Sequence, residues 1–75
     1  MTKAELVTAV GQKAGLNNKQ AKDAVEAILN TITEAMQQGD TVRIVGFGNF
    51  VPTERAASKT VKFRVGEGLK SALKA

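Results

Sequence analysis

Seventy-five residues with no Cys and no His allow one small domain, and they exclude disulfides and the common zinc ligand sets as ways to finish its core. A domain this small buries only about 60% of the surface its unfolded chain exposes, so a second copy of the chain is the expected completion. Net charge is +4, and its placement is informative: residues 1–50 carry five basic and five acidic side chains, whereas the last 25 carry six basic ones against Glu54 and Glu67. The excess fits a polyanion-facing surface, with nucleic acid ahead of membrane because no basic helix with large apolar residues accompanies it. An ordinary solvated basic surface gives the same count. The opening "MTKAELVTAV" has no signal-peptide core, and no segment approaches the roughly 20 apolar residues that span a bilayer, so a soluble intracellular protein is expected.

Thr2 with Glu5 makes a capping box, and Leu6, Val7, Val10 and Ala14 follow at helical spacing up to Gly15, predicting a first helix over about residues 3–14. Asn17 with Gln20 repeats the capping pattern, with Leu16 placed to staple against Ala21. The apolar set from Ala21 to Met36 predicts a second helix over about 18–38, closed by Gly39-Asp40. Its stripe is wider than the short first helix can cover, which also argues for a dimer. From Thr41 the period becomes two, with Val42 and Ile44 alternating with Thr41 and Arg43. Phe47 and Phe50 follow across a glycine turn, then "VPTER". A third strand, "TVKFR", sets Val61 and Phe63 on one face and Lys62 and Arg64 on the other. Pro52 cannot donate to a ladder, so a bulge is expected there, or an end to pairing on that side. The tail "GEGLKSALKA" has helical spacing but needs docking to be stable. The predicted class is α+β: two N-terminal helices, a three-stranded antiparallel sheet and a short C-terminal helix. Residues 1–75 form one domain, with 1–39 the helical dimerisation part and 40–75 the sheet and last helix.

Two segments are candidates for function. In "VGFGNF", Gly46 and Gly48 permit positive backbone dihedrals and leave main-chain amides unscreened for phosphate oxygens, while Phe47 packs down. A tight turn over a core phenylalanine explains the same residues. It is neither a phosphate-binding P-loop nor a dinucleotide fingerprint, because spacing and context differ. In "SKTVKFRVGEGLK", Lys62 and Arg64 project from one strand face with Lys59 and Lys70 flanking, a basic ridge or else a solvated face that deters edge pairing. With no His, Cys or Tyr, and with isolated acids, an enzyme is not expected, nor are a cofactor, a metal or a small-molecule substrate.

These residues resemble the bacterial histone-like nucleoid proteins of the HU and integration host factor family, and HU more closely. "KAELVTAVGQKAGLNNKQA" is similar to the family's first helix and the start of its second. "GDTVRIVGFGNF" with "ERAA" resembles its most specific signature, and Phe63, Gly66 and Leu69 fit its F-x-x-G-x-x-L spacing. The resemblance implies an intertwined homodimer, or a heterodimer with a paralogue, whose sheets form a saddle over double-stranded DNA. It implies an architectural protein of the cytoplasmic nucleoid that bends and compacts DNA with little sequence preference. It places Gly46 and Gly48 near the DNA backbone and makes Lys3, Arg55, Lys59, Arg64 and Lys70 phosphate contacts, with Lys62 beside them on the ridge. Val25, Ile28, Leu29, Ile32, Ile44, Phe47, Phe50 and Phe63 form the expected dimer core.

Two departures stand out. Glu67 occupies a position where HU proteins usually carry lysine. The long β-arm of the family, usually containing "GRNP", is missing: "ERAA" runs directly into "SKTVKF". The join reads either as an arm-deleted form or as a mobile arm left out of these 75 residues. Rival readings are a sequence-specific relative of integration host factor and a dimerisation module without DNA bending.

Overall fold

The structure is a computed structural model that describes residues 1–55 and 58–74, except for the side chain of Arg55. Its elements are α1 (Lys3–Ala14), α2 (Asn18–Gln37), β1 (Val42–Ile44), β2 (Gly48–Arg55), β3 (Ser58–Val65) and α3 (Glu67–Leu73). The chain divides into two compact units, Met1–Thr31 and Ile32–Ala75, with the boundary inside α2.

In the first unit the caps form as expected. Thr2 Oγ1 accepts from the Glu5 amide at 3.2 Å, and Glu5 Oε1 accepts from the Thr2 amide at 3.1 Å. Asn17 and Gln20 make the same reciprocal pair at 2.8 and 3.0 Å. Gly15 takes the left-handed conformation (φ 69°), and the Leu16 amide reaches back to the Gly11 carbonyl at 2.9 Å. Val7, Ala21 and Val25 are buried together, with Val10 and Leu16 packed against them, so Leu16 serves as the staple. Gly11 permits this approach: a Cβ there would stand 3.2 Å from both the Ala21 methyl and the Leu16 carbonyl oxygen. Lys19 Nζ pairs with Asp23 at 2.9 Å one turn on, and that hydrogen bond raises the Lys19 pKa.

In the second unit α2 ends in a Schellman arrangement. The Asp40 amide donates to the Ala35 carbonyl at 2.8 Å, and the Gly39 amide to the Met36 carbonyl at 3.2 Å. The sheet is antiparallel in the order β1-β2-β3. Register pairs Val42 with Phe50 and Phe50 with Phe63, and β2–β3 pairing continues without a break from Gly48↔Val65 to Arg55↔Ser58.

Gly46 and Gly48 serve different ends. Gly46 alone of the two has a positive φ (81°) and supplies the turn. Gly48, expected to share that conformation, instead lies in β2 as a buried residue. A Cβ on it would fall 2.5 Å from Phe63 Cζ and 2.6 Å from the Arg64 carbonyl oxygen, so the ring of Phe63 occupies the space that a side chain would take. Phe63 lies 4.9 Å from Phe50 and 5.7 Å from Phe47 between ring centroids, in tilted packing. The start of α3 docks on the same turn by backbone: the Gly66 amide donates to the Phe47 carbonyl at 2.8 Å, and a Cβ on Gly68 would collide with the Gly46 carbonyl.

Pro52 pairs with Val61 without a bulge. The Phe47 carbonyl faces Gly66, so across that trans peptide the Gly48 amide faces β1, and by strand alternation position 52 faces the same way. β1 pairs only as far along β2 as Phe50, so the proline lacks a donor where no partner strand accepts one. Pairing does end on that side.

Replacing Gly48 with Ala is expected to cost about 1–3 kcal/mol through overpacking against Phe63 and the β3 backbone, measured as a lowered urea midpoint at unchanged slope.

Candidate nucleic-acid interface

The register sorts β-sheet residues by face, because directly paired residues point the same way and neighbours along a strand point oppositely. One face holds Val42, Ile44, Phe50, Pro52, Val61, Phe63 and Val65, and also the opposed pair Glu54 and Lys59. The other holds Arg43, Asn49 and Arg64 in one transverse row, then Val51 with Lys62, Thr53 with Thr60, and the backbone positions of Arg55 and Ser58. No acidic residue falls on this second face.

Lys62 and Arg64 therefore sit together, exposed, as expected. Lys59 does not join them. It lies an odd number of residues from Lys62 and so projects from the apolar face, opposite Glu54, where its Nζ donates to the Gln37 carbonyl at 3.4 Å. Its charge is turned toward the C-terminal end of α2. Arg43 takes the place that Lys59 was expected to fill. The signal was the same period of two that separated Lys62 from Val61, extended one strand further.

The remaining candidates are spread out. Lys3 is in the first unit, 3.5 Å from Glu26. Lys70 is exposed on the last turn of α3. Gly46 is exposed at the turn, while buried Gly48 has no bare surface to offer. The Arg55 side chain lies outside the described residues, and so do Ala56 and Ala57, the latter being one half of the join with Ser58.

The residues expected between two chains divide as well. Val25 is already 4% exposed, enclosed by Val7 and Ala21 of its own chain, and belongs to that internal core. Ile28 is 58% exposed, and Leu29, Ile44, Phe47 and Phe63 are all open to solvent in the single chain. Ile32 and Phe50 are half-buried and line an apolar pocket of about 370 Å³ with Met36 and Val61. Among the described residues the buried apolar side chains are Val7, Ala21 and Val25, clustered in the first unit, and Met36 in the second.

The sequence profile of the family described as "Bacterial DNA-binding protein" matches residues 1–72. The chain is 49% identical to DNA-binding protein HU of Caulobacter vibrioides over 88 positions, covering 96% of each chain. It is 41% identical to DNA-binding protein HU of Geobacillus stearothermophilus over 90 positions, covering 99% of this chain and all of the relative. Both alignments are longer than the 75 residues here, so these relatives hold positions without a counterpart in this chain. Among solved structures, a point mutant of HU from Thermotoga maritima superposes with a TM-score of 0.89 at 43% identity, covering 99% of this chain and 100% of that one. An Anabaena HU–DNA cocrystal structure gives 0.88 at 32% identity, covering 99% and 98%. The chain belongs to the bacterial DNA-binding protein family that includes HU.

Proposed function

We propose that this chain is an architectural protein that binds double-stranded DNA with little sequence preference, as an HU-like homodimer in the bacterial nucleoid. The observation that carries the reading is the sheet face bearing Arg43, Lys62 and Arg64 with no acid among its residues. Cations grouped on one face repel one another, and a polyanion relieves that repulsion while releasing its own counterions. Lys70 and the turn at Gly46, in the same unit, extend the contact to phosphates, and Lys3 of the first unit is a further phosphate contact. The relatives are named DNA-binding proteins, and one solved neighbour is a DNA cocrystal. The family works by binding, and the chain is not an enzyme. No helix among the described residues is long and apolar enough to cross a membrane, in keeping with a cytoplasmic place on the nucleoid.

Residues 1–75 act as one functional domain, with 1–39 for dimerisation and 40–75 for the saddle. The apolar sheet face and the outer face of α2 meet their equivalents in the second chain, burying Ile28, Leu29, Ile44, Phe47 and Phe63. Folding and dimerisation are then one process, and the melting midpoint rises with protein concentration. Ile32→Ala or Phe47→Ala costs roughly 2–5 kcal/mol per chain. A concentration-independent melt with a monomer mass by sedimentation overturns the dimer.

Log affinity for a duplex falls linearly with log salt, by about 0.9 per phosphate neutralised. Arg64→Gln or Arg43→Gln weakens binding to every duplex alike and lowers that slope by about 1, whereas Lys13→Gln, on α1, changes little. Equal losses at all three positions mean diffuse charge and overturn the saddle.

Bending depends on the join at Ala57 and Ser58. Smooth bending of a 20–30 base-pair site costs on the order of 1–6 kcal/mol, and an apolar wedge localises that strain in unstacked steps. These 75 residues hold the basic floor without such a wedge. Energy transfer between labelled duplex ends therefore shows weak bending and little preference for nicked DNA, in a preparation whose intact mass matches the sequence.

A further inference from the structure

Resting on the duplex-binding reading above, we infer that Lys59 is a positioning residue: it ties the β2–β3 ribbon to the C-terminal end of α2 and so holds the basic face in place without touching a phosphate itself. β1 pairs no further than Phe50, so residues 51–55 and 58–62 run on as two strands alone. A two-stranded ribbon is marginally stable in water unless something holds it. Lys62 stands on this ribbon, so the ribbon's direction decides where part of the basic face lies.

Lys59 projects from the apolar face, and its Nζ donates to the Gln37 carbonyl at 3.4 Å. The backbone bonds that close α2 end on the carbonyls of Glu34, Ala35 and Met36, which leaves that of Gln37 for the lysine. A cation there meets both an acceptor and the negative end of the helix dipole. Glu54 lies directly opposite Lys59 yet makes no ion pair among the described residues, so the ammonium is directed to the helix end instead of across the ribbon. Packing alone leaves gaps at this place. One cavity of about 370 Å³ is lined by Ile32, Phe50 and Val61, and another of about 220 Å³ by Gly39, Pro52 and Glu54. Met36 and Lys59 line both, so these two side chains stand between the cavities.

Without the tie the ribbon holds its direction for only part of the time, and apparent affinity falls by the fraction of chains that present the whole basic face. The number of phosphates neutralised stays the same, because Lys59 is not among the neutralising groups. The loss therefore appears in affinity and not in the salt slope.

The test compares the full chain with Lys59→Met, which keeps the stem and removes the donor, Lys59→Arg, which restores a donor, and Lys62→Gln on the basic face. Amide hydrogen exchange is read at Val51 and Thr53, whose amides face β3, and in α1 as an internal reference. Lys59→Met is expected to speed exchange at Val51 and Thr53 about two- to fivefold, the worth of a cation at a helix C-terminus, and to weaken duplex binding by a similar factor at unchanged salt slope. Lys59→Arg should recover both. Lys62→Gln should lower the slope by about 1 and leave exchange as it was. If Lys59→Met lowers the slope as Lys62→Gln does, Lys59 is a phosphate contact and the tie is overturned. The tie is also overturned if exchange at Val51 and Thr53 does not change, if α1 speeds up equally, or if Lys59→Arg behaves like Lys59→Met. If no form of the chain binds a duplex, the duplex-binding reading fails, while the exchange comparison still decides whether Lys59 holds the ribbon.

Discussion

The seat of Phe63 on Gly48 fixes more of the molecule than any other contact. The ring occupies the space where a Cβ would be, touches Phe50 and Phe47, and so locks the register of β3 against β2. Because side chains alternate along a strand, locking one residue decides the face of every other. A slip by one residue would turn Lys62 and Arg64 into the apolar side and bring Val61 and Phe63 out to the basic one. The charge pattern on which binding rests is thus set by a glycine and an aromatic ring on the opposite face. The backbone contacts of Gly66 and Gly68 with the same turn tie α3, and with it Lys70, to that fixed point.

Much of the fold was legible before any coordinates. Both capping pairs, the left-handed stops at Gly15 and Gly39, and the change of period at Thr41 depend on neighbours within a few residues, and all three translate directly into element boundaries. The second helix ends at Gln37, one residue short of expectation, because Gln38 already belongs to the closing turn. The class and the antiparallel meander followed from the same signals.

What escaped the sequence was long-range or carried by atoms that a sequence does not show. Gly48 looked like a second turn glycine because the need for glycine reads the same whether it comes from a dihedral or from a neighbour's ring. Gly66 and Gly68 gave no sign of pressing on the Gly46 turn, since those contacts are backbone on backbone. Lys59 was grouped with Lys62 by nearness in the chain although alternation separates them, and Arg43 was passed over because its strand has only three residues. Val25 fell within the helical stripe assigned to a second chain, yet α1 had already covered it.

Pro52 has a bearing beyond its own strand. β2 extends five residues past the last one paired with β1, which leaves a length of main chain open on that side. Such an edge invites a strand from another molecule, and copies bound side by side on one duplex would stand close together. The missing amide at Pro52 interrupts the ladder that an incoming strand would need. The protein can thus be crowded onto DNA with less risk of its sheets fusing edge to edge into aggregates.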